Sequence, residues 1–201
     1  MVYGVAIYGG FDGTESTLAE RDIAAHLTAL SGDLGVSGDS TDNCYHVFYH
    51  RLAYLPALDS TAILDGFTIQ DGNANAGSQP HNSGGGMYNY SHSPKIANCT
   101  FTNNYAYFGG GMRNREGSPI INVCVFSENR ADDGGALFNS SNSHAVLTGC
   151  TFTSNKGESG GAVQNNLSNP RFLHCDFGMN LASTYGGAVQ NQQTGNPEFL
   201  N

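Results

Sequence analysis

The residues best suited to chemistry fall in two short stretches one sequence repeat apart: Arg130, Asp132 and Asp133, then Lys156 and Glu158. Carboxylates grouped beside cations can divide acid and base roles at a glycosidic bond, or offer hard oxygens to Ca²⁺. Asp132, Asp133 and Glu158 are therefore the candidate catalytic residues and the candidate Ca²⁺ ligands; no other cofactor is expected. One repeat earlier stand Tyr105, Tyr107 and Phe108, with Tyr88 and Tyr90 nearby in sequence. Exposed rings beside carboxylates stack on sugars, so Tyr105, Tyr107, Arg130 and Lys156 form the candidate ligand-binding set. The competing reading is a solvated turn whose ion pairs contribute little. Arg113, Arg115 and Glu116 make a second charged turn, expected to form a surface ion pair, the alternative being contact with an anionic glycan. His46 and His50 are four apart on a strand-like segment, and with His81 and His92 they form no metal-ligating pattern. No serine lies in a G-x-S-x-G elbow.

Such residues act only if something holds them in line, and the sequence supplies it. GGGMYN at Gly84, GGGMRN at Gly109, GGALFN at Gly134 and GGAVQN at Gly160 and Gly186 recur at steps of 25, 25, 26 and 26 residues. Each of the first four is followed by a block reading apolar-x-x-Cys-x-Phe-x-x-Asn, with cysteines at Cys99, Cys124, Cys150 and Cys175. Apolar residues alternate within these blocks, the strand period, and the segments are too short and Gly-flanked for helices. A unit this small cannot bury its apolar face alone but can when stacked on copies of itself. The expected fold is all-β: a right-handed parallel β-helix with about 25 residues and two or three short strands per coil.

Stacking converts sequence columns into ladders. Phe101, Phe126, Phe152 and Phe177 form the expected aromatic stack, and Met87, Met112, Leu137, Val163 and Val189 an aliphatic one. Asn104, Asn129, Asn155 and Asn180 recur at a turn, each amide donating to one coil and accepting from the other. In-register cysteines would carry parallel Cβ atoms about 4.8 Å apart, whereas a disulfide needs about 3.8 Å and converging vectors. The four are thus expected to be reduced, buried hydrophobes.

Residues 1–80 read as irregular early coils and a loop, and residues 81–201 as five regular repeats, the last incomplete, in one continuous domain. Strand-like segments fall at Val5 to Tyr8, Leu27 to Leu30, Tyr45 to Tyr49 and Thr61 to Ile69. In the last, Phe67 takes the Phe-column position and Gln70 that of Asn104. Glu15 to Ala29 offers one helical turn capped by Ser16 or Thr17, and Gly72 to Ser83 is a loop by composition. Pro197 implies a further Cys just past Asn201, so more solenoid is expected to follow.

Composition narrows the function classes. Eight Lys and Arg against 17 Asp and Glu give a formal charge of −9, which argues against nucleic acid as a partner. No apolar run approaches the roughly 20 residues of a membrane helix. Gly reaches 27 and charged residues only 12%, opposing a helical bundle. The GG[GA][MLV]xN and CTFxxN elements resemble the polymorphic outer-membrane-protein repeat, and VAIYGGFDGTE, LSGD and ILDGFTI resemble the start of large bacterial β-helix surface proteins. The resemblance spans nearly the whole chain and implies export to the cell surface, with a signal outside this sequence. The resulting expectation is a non-catalytic secreted or surface scaffold with an adhesive or glycan-binding face, meeting a glycan or a host or neighbour cell. The alternatives are a polysaccharide lyase or glycoside hydrolase using the acidic cluster, and an end-to-end self-assembly module.

Overall fold

The computed structural model describes residues 1–51 and 56–201. Four parallel sheets of seven, six, five and six strands run along one axis, forming a β-solenoid. One coil shows the pattern: Lys95–Ala97 in the first sheet, Thr100–Thr102 in the second, Tyr105–Phe108 in the third and Met112–Arg115 in the fourth. Strands pair residue for residue with their equivalents in adjacent coils, as in Phe101↔Phe126↔Phe152↔Phe177, except for a bulge where Lys156–Ser159 meets Leu181–Tyr185.

Each coil from Ile63 to Gln192 holds four strands, not two or three, while the first coil holds three. The additional one is the third-sheet strand, YAYF, RADD or KGES, whose inward residues are Ala106, Ala131 and Gly157. Side chains this small give no alternating hydrophobic signal, so the segment reads as a turn although its backbone pairs with the coils on either side. The consequence reaches the site: residues assigned to a turn lie on a parallel sheet, where every second side chain faces outward.

The core lies inside the four walls. Phe101, Phe126, Phe152 and Phe177 stack with ring centroids 4.9, 4.9 and 4.8 Å apart and interplanar angles of 8° or less. Met87, Met112, Leu137, Val163 and Val189 align along the fourth sheet. The five cysteines are free, and Cys99, Cys124 and Cys150 are buried. Their sulfurs meet backbone carbonyls instead, as in Cys99 Sγ to Leu64 O at 3.7 Å.

Two asparagine ladders run through the solenoid. In one, Asn104, Asn129 and Asn155 each donate Nδ2 to Oδ1 of the next member, ending on Asn180, at 2.9–3.1 Å. The other joins Asn89, Asn114, Asn139, Asn165 and Asn191. His50 caps it: Nδ1 lies 2.6 Å from Asn89 Oδ1, whose own Nδ2 already donates onward, so His50 carries its proton on Nδ1. Burial lowers the His50 pKa to about 4, keeping the ring neutral.

Most corners are turned by a single left-handed residue, and those at Ser141–Asn142 and Gln193–Thr194 by two. Gly109, at φ +66°, leads from the third sheet to the fourth, and a Cβ on Gly110 would fall 2.4 Å from Arg130 O. These two demands explain the paired glycines. Between the first and second sheets the corner residues are Asn98, Val123, Gly149 and His174; Val123, at φ 52°, is β-branched in a region such residues avoid.

Early coils depart from the expected register. Thr68 pairs with Thr100 and Ile69 with Phe101, so Phe67 occupies the cysteine column and Ile69 the Phe column. Gln70 pairs with Thr102, and Gly72 stands at the end of the Asn ladder, its N–H donating to Asn104 Oδ1 at 3.0 Å. The helical turn shrinks to a 3₁₀ turn at Leu18–Glu20; Thr17 makes no capping bond, and Glu20 instead accepts from Ser16 N at 2.7 Å. The Gly72 to Ser83 segment opens with a short strand, Asn73–Ala74.

Candidate functional site

The third sheet gathers the residues singled out in the sequence. Tyr105 pairs with Arg130 and Arg130 with Lys156, forming one outward row; the same register sets Tyr107, Asp132 and Glu158 in a second. Phe108, Asp133 and Ser159 align at the corner that follows, before Gly109, Gly134 and Gly160. The Tyr105 and Tyr107 rings meet edge to face, centroids 6.2 Å apart. Three depressions follow this face. One of about 470 Å³ lies among Arg130, Asp132, Lys156 and Glu158. Another of about 520 Å³ lies against Tyr107, Asp132, Asp133 and Glu158. A third of about 550 Å³ reaches Tyr105 from the side of the 33–43 loop.

Rows of like charge result. Arg130 faces Lys156 across the coil boundary, and among the described residues no ion pair links either cation to Asp132, Asp133 or Glu158. At the interstrand spacing of about 4.8 Å two like charges repel by about 1 kcal/mol in water. Burial and then Glu158 raise the Asp132 pKa; burial, Asp132 and Glu158 raise that of Asp133. Asp133 also accepts a hydrogen bond from Gln164, whose amide, oriented with nitrogen toward the carboxylate, lies 2.9 Å away. Burial, followed by Asp132, raises the Tyr105 pKa as well. A face with adjacent carboxyls that resist ionisation, cations alongside and two rings can hold a polyhydroxylated ligand or move a proton to one.

The strand unit supporting this face also carries a family signature. Residues 123–140 match the Chlamydia polymorphic membrane protein repeat. The chain is a parallel β-solenoid that carries this repeat. Neither a curated protein nor a solved structure gives a significant match. The polymorphic membrane protein repeat here covers Cys124, Phe126 and Asn129 as well as the Gly134 to Asn139 block, which the structure places in the second, third and fourth walls. Its shared residues point inward or turn corners, while Arg130, Asp132 and Asp133 occupy positions within it that vary from coil to coil.

Other candidates fall elsewhere. Arg113 is no surface ion-pair residue: it is 5% exposed and lies 5.0–5.4 Å from the Phe108, Phe138 and Tyr88 rings, while Nη1 donates to Ser83 Oγ. Burial lowers its pKa to about 10. Arg115 does pair with Glu116, at 3.4 Å. Both ring nitrogens of His92 are engaged, Nδ1 accepting from Leu58 N and Nε2 donating to Arg51 O, and His46 Nδ1 donates to Gly84 O. His26 instead joins Asp12 and Glu15, with ligand atoms within 4.8 Å of one another on a largely exposed loop. No spacing rule signals that grouping, because folding of the 12–26 segment brings it together. The 33–43 loop was equally silent in the sequence; its role as a wall beside Tyr105 arises from hydrogen bonds to the following coil.

Proposed function

We propose that this chain is part of a surface-displayed scaffold whose third sheet binds carbohydrate. The observation that carries the reading is the paired outward placement of Tyr105 and Tyr107, continued in register by Arg130 and Lys156 and by Asp132 and Glu158 along a face with three depressions. Ring faces supply apolar contact to sugar C–H groups, and the charged rows supply acceptors and donors for hydroxyls. A repeat described as that of a membrane protein supports display at a cell surface. A glycan array probed with the chain, with and without Ca²⁺, tests the reading. Binding is expected, weakened about tenfold by Tyr107→Ala if the ring contributes a normal stacking energy. Absence of binding to any glycan refutes it.

The raised pKa values of Asp132 and Asp133 favour a second reading, in which these carboxyls and Glu158 cleave the bound chain. Release of reducing or unsaturated ends, abolished in Asp132→Asn, Asp133→Asn or Glu158→Gln, would establish it. Binding without product keeps the face purely adhesive.

A further inference from the structure

The depression beside Tyr105 is walled on one side by the 33–43 loop. That loop is stitched to the next coil: Asn43 Nδ2 donates to Asp71 O at 2.7 Å, Asn73 Nδ2 to Ser40 O at 2.6 Å, and Asn73 N to Cys44 O at 2.8 Å. The cavity lies between this loop and the start of the third sheet, lined by Asp33, Asn43, Asp71, Asn73 and Tyr105 among others, with no Lys or Arg in its wall. Asn73 pairs directly with Tyr105, so the cavity stands at the end of the Tyr105–Arg130–Lys156 row.

Its acceptors are held in place but left over. Asp33 Oδ2 accepts from Gly38 N at 3.0 Å and Asn43 Nδ2 is engaged by Asp71 O, yet Asp33 Oδ1 and Asn43 Oδ1 are buried without a hydrogen-bond donor. Asp71 Oδ2 is fixed by Ser31 Oγ at 3.0 Å and Gln70 Nε2 at 2.8 Å. Buried acceptors without donors are costly, and a ligand that brings donors relieves the cost. Side chains already locked from one end lose little freedom when it binds. Two carboxylates with no cation among the lining residues repel an anionic ligand.

From this we infer that the cavity is a subsite for one neutral sugar unit at the end of a glycan, and that it rejects uronic and sialic acids. The inference rests on the carbohydrate-binding reading of the third sheet and adds to it a subsite, a direction and a charge rule. Hydroxyl groups supply the missing donors, the sugar ring packs on Tyr105, and the remainder of the chain runs outward along the Arg130–Lys156 row. The cavity volume suits one ring and its first linkage rather than a lone ion.

Calorimetric titration of the whole chain with neutral tetrasaccharides of β-1,4-linked glucose, mannose or galactose, and with tetragalacturonate, tests this. At least one neutral probe should bind, tetragalacturonate about tenfold more weakly, and Asp33→Asn should weaken the neutral probe about tenfold by turning an acceptor into a donor. Tyr105→Leu provides a second cavity variant should Asp33→Asn alter the thermal unfolding. Neutral binding that survives both cavity variants but is lost in Tyr107→Ala would overturn the subsite and leave the carbohydrate face standing. A preference for tetragalacturonate overturns the charge rule, and binding abolished by EDTA assigns the free oxygens to a cation instead. Silence from every neutral and anionic probe removes the carbohydrate reading and the subsite together.

Discussion

Asn129 and Asn114 are both fully buried, sit in neighbouring coils and differ in what their amides do. Asn129 Oδ1 accepts from Asn104 N at 3.1 Å and Asn104 Nδ2 at 3.0 Å, while its Nδ2 donates to Phe101 O at 2.8 Å and Asn155 Oδ1 at 3.1 Å. Asn114 makes two such bonds, accepting from Asn89 at 2.9 Å and donating to Asn139 at 3.0 Å. Truncation to alanine removes the same atoms in each case, so cavity terms largely cancel and the bond count decides. At about 1 kcal/mol per net hydrogen bond, Asn129→Ala should cost about 4 kcal/mol and Asn114→Ala about 2 kcal/mol. The stranded Asn104 N–H widens the gap, since a buried donor without partner costs a further 1–3 kcal/mol or so. Urea unfolding followed by circular dichroism reads the difference. With a slope of about 2 kcal/mol/M, the two midpoints should separate by at least about 1 M. Equal midpoints, or a greater loss in Asn114→Ala, would show that side-chain ladders do not carry the stability assigned to them.

Two further substitutions probe strain and charge. Val123→Asn, at an exposed corner with φ 52°, should raise stability by about 1 kcal/mol by placing a residue tolerant of the left-handed region where a β-branched one now stands; no rise in melting temperature refutes the strain. Asp133→Asn should raise the melting temperature at pH 7. The folded-state pKa lies above the unfolded value, so the native state holds its proton to higher pH and loses stability as pH rises through that window. The advantage should therefore shrink as pH falls and vanish below the ordinary carboxylate range, near pH 4. A benefit that persists undiminished at pH 3 would locate its origin in packing rather than charge.

Much of the solenoid was legible because stacking forces sequence periodicity. Phe and Cys columns recur at the coil length since each can contact only its equivalents above and below. The third-sheet strand was not legible, because Ala106, Ala131 and Gly157 give no hydrophobic alternation to read. That omission mattered for the site: on a turn, Tyr105, Arg130 and Lys156 are loosely related, whereas on a paired strand they form one row. The early coils misled by two residues because Phe67 mimics the Phe column while its backbone lies in register with Cys99. The burial of Arg113 escaped notice for a different reason. Its sequence neighbours Arg115 and Glu116 suggest solvent, but the rings of Tyr88, Phe108 and Phe138 come from three other strands.

Residue-for-residue register between coils constrains how such a gene can change. Duplicating or deleting one whole coil, 25 or 26 codons, restores every inward partner and moves the outer rows by a single rung. A frame-preserving insertion of a single residue within a wall instead turns inward side chains toward solvent. Unequal recombination between repeats can thus alter the distance between two surface sites in fixed increments while the interior stays unchanged, so spacing along the molecule is heritable in whole coils and its chemistry in single outward residues.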